Sequence, residues 1–368
     1  MSILLHRCGL SVMPQAPEGA PARVAGRVRG RERCLTVDLH CHALTLAAER
    51  LVAERPQKLA EREMQPRLVG QESFEFTVNV MLKAAFPKLT DLSQRLLDMD
   101  AMGVDLQVLS PAPNQYYYWA DPDLARELCR SINEHIASLV AQHPDRLLGL
   151  GSVALQHPEI AIEQLEYAMQ TLGLRGIEVS SQVNGLELAD RKFDPFWARA
   201  EELGCIVFLH PLGTSLGERV NRHYLSNSLG QPLETAVALS YLIFGGTLDR
   251  YPGLKLVAAH GGGYLASYIG RSDHAWQVRP DARGCTRPPS EYLRQILFDT
   301  IVYRPEQLRH LIAEAGISQV VLGTDYPYDM AHYDIQALFE ALPELSETDR
   351  AAILGGNAAR LLGLEARD

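Results

Sequence analysis

The sequence predicts a closed (β/α)8 barrel, the TIM-barrel fold class, on three observations. From residue 34 onward, eight short apolar runs rich in β-branched residues alternate with longer helical patterns. The runs are almost continuously apolar, as is typical of parallel strands that are buried on both faces. Eight successive β-then-α units indicate a barrel, and no glycine-rich phosphate loop follows the first run to favour a doubly wound open sheet instead.

The elements follow one another in chain order. The predicted strands are 34–40, 105–110, 146–154, 175–181, 205–211, 254–262, 295–300 and 319–327. Helical patterns with start and stop signals lie between them, among them an Asp-Pro start at residue 121 and a glycine that ends the second helix. The predicted helices are 121–143, 158–173, 195–204, 232–250 and 304–316, followed by a last helix over 347–364 that is broken at Gly355-Gly356.

Two segments depart from this alternation. Residues 43–91 form a long stretch of mixed polar and aromatic residues after the first strand, and a segment of this length at the C-terminal end of a barrel strand is usually a lid or a small insertion. Residues 1–33 carry six arginines and two glutamates and are rich in Pro, Gly and Ala, which predicts a basic, disordered tail. We therefore expect this tail and one barrel domain over 34–368.

The bulk composition excludes several classes of protein. The 368 residues are 46% hydrophobic and 22% charged, which is ordinary for a globular protein. The net charge of −10 disfavours nucleic acid as a partner, because an acidic surface repels a phosphate backbone. Six cysteines without a CxxC pair indicate reduced thiols and a cytoplasmic location. No apolar run reaches the roughly 18 residues that a membrane span needs.

Histidines and one aspartate stand at the C-terminal ends of four predicted strands, where a barrel of this class carries its catalytic groups. They are His40, His42, His210, His260 and Asp325. Side chains two residues apart on a strand share a face, so His40 and His42 should both point into the barrel mouth. Three imidazoles and a carboxylate suit one divalent metal ion, with Zn²⁺ expected and Mn²⁺, Co²⁺ or Fe²⁺ also acceptable.

Purely structural roles are the alternative to a metal site for these residues. A single strand-end histidine is more often a hydrogen-bonded structural group than a ligand, and an isolated His-x-His pair is a weak signal. Four histidines and an aspartate at the same end of four strands are rarely collected by chance. A non-catalytic, metal-stabilised barrel is disfavoured because structural zinc sites are closed by four compact ligands.

These residues belong to longer motifs: DLHCH, HPLG, AAHGGG, GRSDHAWQVRPD and LGTDYPYD. Together the motifs resemble the amidohydrolase superfamily, specifically the decarboxylase branch of amidohydrolase-related family 2, from about residue 34 to 364. The resemblance implies a barrel of the metal-dependent hydrolase type that acts as a non-oxidative decarboxylase of a small unsaturated or aromatic carboxylic acid. A lactone or amide hydrolase, or a hydratase, on the same site is the alternative that stays open.

The resemblance implies a role for each strand-end residue. The expected metal ligands are His40, His42, His210 and Asp325. The expected general base and acid is His260, and Asp325 is expected to serve in catalysis as well as in metal binding. Strand four has no lysine of the kind that binuclear members of the superfamily carboxylate, so a single metal ion is expected and Glu178 is expected to be a barrel-wall residue.

The resemblance also implies a cation for the substrate carboxylate. Arg271 matches an arginine that reaches across a subunit interface, so a homodimer is expected, and Arg279 and Lys88 are further candidates for the task. The chain departs from the decarboxylase pattern at Leu212, where a tryptophan is usual, and in LKAAFPKLT, which lacks an arginine. A lysine attracts a carboxylate but lacks the guanidinium fork. The aromatic run 116–119 either lines the pocket or has an interface or packing role.

Overall fold

The computed structural model describes residues 34–364, so the predicted basic tail 1–33 lies outside the described residues. The strands are β1 Val37–Ala43, β2 Leu106–Pro111, β3 Leu147–Ser152, β4 Gly176–Val179, β5 Gln182–Val183, β6 Leu186–Glu187, β7 Ile206–Leu209, β8 Lys255–Ala258, β9 Ile296–Asp299 and β10 Val320–Val321. Eight of them form a parallel sheet in the order β1-β2-β3-β4-β7-β8-β9-β10, and β5 pairs with β6 in a small hairpin.

The sheet closes between its first strand and the chain that continues from β10. Leu39 N donates to Leu322 O at 2.9 Å, and Asp325 N donates to His40 O at 2.8 Å. The predicted (β/α)8 barrel is therefore confirmed. The last strand, Val320–Val321, is shorter than the predicted 319–327, and the predicted range also includes Asp325, whose left-handed φ of 59° is not that of an extended strand.

Helices surround the sheet. They are α1 Leu46–Val52, α2 Pro56–Val69, α3 Gln71–Phe76, α4 Leu82–Thr90, α5 Leu92–Met102, α6 Pro122–Gln142, α7 Pro158–Glu166, α8 Asp194–Glu202, α9 Gln231–Phe244, α10 Thr247–Arg250, α11 Ile269–Val278, α12 Pro305–Ala315, α13 Ile335–Glu340, α14 Glu347–Ala351 and α15 Asn357–Leu362. Within residues 34–364, none of these helices has both the length and the apolar character that crossing a membrane requires.

Helix α6 illustrates how the local sequence builds the outer layer. The Asp121 carboxylate accepts a hydrogen bond from Leu124 N at 3.0 Å, and proline stands at the first helical position, where a missing N–H costs nothing. Leu128, Ile132 and Ile136 recur at every fourth position and are fully buried. This apolar stripe packs α6 against β3.

The segment 43–91 is helical and contains α1 to α4, whereas its sequence suggested a long irregular insertion. Helix α1 packs beside α6, and α2 contacts the short helix Gly217–Val220. Glu49 of α1 accepts hydrogen bonds from the Tyr117 hydroxyl at 2.5 Å and from Gln115 Nε2 at 2.9 Å. The insertion is thus anchored to the loop that follows β2, and its action as a lid stays a prediction.

The predicted helix break at Gly355-Gly356 is wrong. The chain stays helical from α14 through a wider turn, Ala352–Gly356, into α15. A Cβ atom at Gly355 would lie 2.2 Å from Leu35 O. Glycine is therefore required here because the helix closely approaches the chain that leads into β1, and it does not interrupt the helix.

Candidate metal centre and active site

The barrel brings the predicted strand-end residues to one place. His40 and His42 lie within β1, His210 directly follows β7, His260 begins the short turn His260–Gly262 after β8, and Asp325 follows β10. The carboxyl ends of parallel barrel strands meet at one end of the barrel. Below this cluster, the buried Phe208 packs its ring 4.9 Å from the His40 ring, centroid to centroid, so the core supports the site directly.

Three imidazoles and one carboxylate form a tight, buried group. The His40 ring lies 5.1 Å from both the His42 and the His210 rings, and the latter two lie 4.9 Å apart. Asp325 Oδ1 lies 3.3 Å from His40 Nε2 and 3.5 Å from His42 Nε2. One possible ligand atom from each of the four residues lies within 4.8 Å of the others. This geometry suits one metal ion with imidazole and carboxylate ligands.

Buried nitrogen atoms without a hydrogen-bond partner also indicate a metal site at these residues. His40 Nε2, His42 Nε2 and His210 Nδ1 are buried without a hydrogen-bond partner among residues 34–364. A buried polar atom without a partner costs about 1–3 kcal/mol, so native proteins rarely leave several together. A divalent cation would accept these lone pairs. The residues present therefore fit a metal ion.

The electrostatics of the cluster favour a cation as well. Burial lowers the pKa of His40, but the carboxylates of Asp325 and Asp299 outweigh burial and raise that pKa to about 10. Burial raises the pKa of Asp325, but the surrounding imidazoles hold it well below its usual range. Burial and the neighbouring histidines lower the pKa of His210. The metal-free site thus carries protons that a metal ion would replace.

The outer nitrogen of each β1 histidine has an acceptor. His42 Nδ1 donates to Pro111 O at 3.0 Å, and His40 Nδ1 lies 2.6 Å from Asp299 Oδ2. A carbonyl oxygen can only accept, so the His42 proton lies on Nδ1 and the Nε2 lone pair faces the cluster. Asp299 was not singled out from the sequence. The available signal was its position as a carboxylate directly after the apolar run ILF of β9.

His260 stands beside the ligand group and differs from it in exposure. Its Nε2 lies 3.7 Å from Asp325 Oδ2, and its ring lies 5.2 Å from the His40 ring. The His260 side chain is 15% exposed, whereas that of His40 is fully buried. Gly261 next to it has a φ of 60°, and a Cβ there would lie 2.4 Å from a methyl group of Val302. His260 is thus placed to exchange protons with solvent next to the cluster.

The aromatic run 116–119 packs in the protein for the most part. The Tyr116 hydroxyl donates to Glu178 Oε1 at 2.6 Å, and its ring stacks on Tyr118 at 5.5 Å. Tyr117 is bound to Glu49 of the insertion. Glu178 is a buried wall residue, as expected, and its second oxygen lies 3.6 Å from His42 Nδ1. Of the two roles left open for the run, the structure shows packing for these three tyrosines.

Three other tyrosines stand close to the cluster, and the sequence analysis missed them. The Tyr328 ring lies 5.5 Å from the His42 ring. Burial raises the pKa of Tyr224 and of Tyr303; the Asp329 and then the Asp325 carboxylate raise that of Tyr224 further, and the Asp325 carboxylate raises that of Tyr303. Tyr328 lies within the LGTDYPYD motif, but the other two come from loops whose course only the fold determines.

The three candidate cations do not contact the histidine cluster of their own chain within residues 34–364. Arg271 is exposed on α11 and has no hydrogen-bond or ion-pair partner in this part of the chain. Arg279 pairs with Asp281 at 2.9 Å on the surface. Lys88 Nζ lies 3.8 Å from Asp98 and faces two tyrosine rings. None of the three candidates is therefore part of the cluster in its own chain.

A buried three-histidine, one-aspartate group at the carboxyl end of a closed parallel barrel defines a metal-dependent barrel protein. The chain belongs to the amidohydrolase family, whose sequence profile matches residues 37–364. This confirms the family that the sequence motifs indicated.

The chain is similar to proteins that are named decarboxylases. It is 39% identical over 277 residues to 2-amino-3-carboxymuconate-6-semialdehyde decarboxylase of Dictyostelium discoideum, across 75% of this chain and 77% of the relative. A structure of 5-carboxyvanillate decarboxylase from Sphingomonas paucimobilis matches with a TM-score of 0.78 and 26% identity, across 90% of this chain and 100% of that one. Dihydroxybenzoic acid decarboxylase from Polaromonas sp., solved with bound manganese and the inhibitor 2-nitroresorcinol, matches with a TM-score of 0.71 and 25% identity, across 90% and 98%.

Proposed function

We propose that this chain is a metal-dependent, non-oxidative decarboxylase of small, flat carboxylic acids that are unsaturated or aromatic. The observation that carries the proposal is the buried group of three histidines and an aspartate with a partly exposed fifth histidine beside it. A hydrolase could use the same site, because both reactions need a Lewis acid and a group that moves a proton. The names of the relatives favour the decarboxylase.

The proposed ligands of one divalent ion are His40, His42, His210 and Asp325. When bound, the ion would act as a Lewis acid that draws electron density from the substrate. Zn²⁺ is our proposal because three imidazoles and a carboxylate suit a borderline-soft ion. Mn²⁺ is the first competitor, since the Polaromonas relative was solved with it.

His260 is proposed to deliver the proton that the reaction consumes. Breaking the bond to CO2 leaves its electron pair on the substrate carbon, so a conjugated system must hold that pair until a proton arrives. The His260 imidazole can pass this proton to the carbon and take another from solvent, because its side chain is partly exposed. Asp325 Oδ2 lies 3.7 Å from its Nε2. One substrate carboxylate and one proton become CO2 and the protonated product.

The tyrosines around the cluster support a flat substrate. Tyr328 presents its ring beside His42, and Tyr224 and Tyr303 lie within electrostatic reach of Asp325. Aromatic rings offer broad apolar faces against which a planar substrate can pack, and their hydroxyls can bond its oxygen atoms. No phosphate-binding or nucleic-acid-binding feature is needed for such a substrate.

We propose that the enzyme is a homodimer in which Arg271 binds the substrate carboxylate in the partner's pocket. Its guanidinium is exposed and unpaired within residues 34–364, so it is available to another subunit. Large apolar side chains surround α11: Tyr264 is 40%, Tyr268 70% and Val278 57% exposed, and clusters of this kind mark interaction surfaces. Arg279 and Lys88 rank lower because acidic partners already hold them.

A cytoplasmic location is proposed from the cysteines. The cysteines within residues 34–364 are all free thiols, and most are buried. Such usage is typical of proteins in reducing compartments.

A panel assay tests the proposed reaction. The metal-loaded enzyme is offered hydroxybenzoates and carboxymuconate-type semialdehydes, and CO2 release is measured beside hydrolysis of simple amides and lactones. We expect CO2 from at least one acid and no turnover of the amides and lactones. Efficient hydrolysis without CO2 from any acid would show that the site serves a hydrolase.

A further inference from the structure

Four hydrogen-bond donors converge on the carboxylate of Asp299 at the end of β9. Oδ2 lies 2.6 Å from His40 Nδ1 and accepts from His260 N at 2.9 Å. Oδ1 accepts from Gly261 N at 2.8 Å and from Ile301 N at 3.0 Å. The side chain is completely buried. Only an ionised carboxylate can accept from donors on both oxygens, because an amide has one oxygen and a protonated acid must itself donate.

The contact between Asp299 Oδ2 and His40 Nδ1 acts on a proposed metal ligand. With an acceptor-only oxygen at 2.6 Å, one His40 proton is held on Nδ1, so that Nε2 is the nitrogen left facing the cluster as a metal ligand. A carboxylate behind a metal-binding histidine fixes its tautomer and ring orientation and makes it a stronger ligand. Gly323 leaves room for this pair, because a Cβ there would lie only 2.8 Å from His40 Cβ and 2.9 Å from Asp299 Cβ.

The hydrogen bonds that Asp299 accepts from backbone N–H groups act on the turn that carries the proposed proton donor, His260. His260 and Gly261 both have left-handed backbones, with φ values of 55° and 60°. Such a conformation is uncommon for histidine and persists only where surrounding contacts impose it. The two hydrogen bonds from His260 N and Gly261 N to the two oxygens of Asp299 supply that constraint. They hold the His260 imidazole against Asp325.

We propose that Asp299 is a positioning residue that couples the metal centre to the proton-transfer histidine through one carboxylate. It orients His40 for the metal through its side chain, and it orients His260 through the backbone of the turn after β8. The inference rests on the proposed function only in naming His260 as the proton donor. Its metal-binding half stands for any reaction at this site.

The first test measures metal binding in Asp299→Asn. The asparagine amide has nearly the same shape, but its NH2 group would face N–H donors at the place where a carboxylate oxygen accepted from them. We therefore expect metal affinity to fall about 10–100-fold in a chelator competition assay. Glu234→Gln is the matched control. Glu234 is also buried and accepts from Ser215 N and from the Ser215 and Thr214 hydroxyls, but it touches neither His40 nor His260. An affinity that is unchanged in Asp299→Asn, or lowered equally in both variants, overturns the proposal.

The second test asks whether Asp299 also positions His260 or only supports the metal ligand His40. At saturating metal, Asp299→Asn should still turn over at least tenfold more slowly, with KM within about threefold, because a misplaced proton donor forfeits part of the roughly 10²–10⁴-fold that such a group contributes. If kcat recovers fully when metal is added, Asp299 supports His40 only, and the proposed coupling to His260 is wrong.

A measurement on the unmodified enzyme covers the case in which the variant fails to fold. In zinc-loaded protein with ¹⁵N-labelled histidine, His40 should give the Nδ1–H tautomer with a strongly hydrogen-bonded proton. The Nε2–H tautomer would refute the proposal. If no acid on the panel releases CO2, the proposed reaction fails, but the affinity and tautomer results still decide the role of Asp299.

Discussion

Replacing His260 with asparagine should separate metal binding from proton transfer. Asparagine tolerates the left-handed backbone at this position, where φ is 55°, whereas alanine would add about 1–2 kcal/mol of backbone strain. The backbone N–H keeps its bond to Asp299, and the ring removed lies outside the group of possible metal ligands. The change therefore deletes the imidazole and leaves the rest of the site in place.

The expected loss is large in turnover and small in metal content. Proton transfer by a positioned side chain contributes about 10²–10⁴-fold, or about 3–5 kcal/mol of transition-state free energy, so kcat for CO2 release should fall by that factor. Metal content should stay near one ion per chain, measured by elemental analysis of the same samples. Folding should be little affected, because the His260 side chain is at the solvent boundary, with 15% of its surface exposed.

His310→Asn is the matched control. His310 lies in α12, and its Nε2 is 3.3 Å from Ala266 O, away from the cluster. Its replacement should leave kcat and metal content within about twofold of the unmodified enzyme. If His260→Asn loses metal in step with activity, His260 is a ligand and the division of roles is wrong. If it retains turnover, another group delivers the proton.

Three further predictions concern the metal and the subunits. His40→Ala and Asp325→Ala should each abolish activity and leave well below one metal ion per chain; a fully metallated, active His40→Ala enzyme would refute the ligand assignment. Because the pKa of metal-free His40 is raised to about 10, a metal ion must displace a proton at neutral pH. Metal affinity should therefore rise with pH, about tenfold per unit between pH 6 and 9 for one proton, and an affinity that is constant over this range in chelator competition would contradict the assignment. Mixed dimers of inactive His260→Ala and Arg271→Ala chains should regain partial activity, since one pocket then has both groups; heterodimers without activity would place Arg271 outside the partner's pocket.

Several features of the site could be predicted from the sequence because they depend on local pattern. The apolar runs located each barrel strand, and the carboxyl ends of parallel strands must meet at one end of a barrel. His40, His42, His210 and Asp325 could therefore be grouped although they are spread over almost 300 residues of chain. The expectation failed in detail where the backbone departs from regular geometry, as at Asp325, which lies in the predicted strand 319–327 but has a left-handed φ.

Other features depend on contacts between distant segments, so no local sequence pattern predicts them. Helix α2, the longest in segment 43–91, has no strong amphipathic period, so its packing against the short helix Gly217–Val220 could not be derived from that stretch alone. The charge of Asp325 acts on Tyr224 and Tyr303, which lie on loops whose course depends on turn conformation and not on hydrophobic period.

The sequence by itself determined the barrel, the family and the group of possible metal ligands, because strand-end position and residue chemistry are both local properties. Only the tertiary structure decided what supports that group. Asp299 looks like any other aspartate in the sequence, and its partner His40 lies 259 residues away. The two meet because β9 and β1 flank the last strand of a closed barrel, and four donors can converge on one buried carboxylate only after that closure.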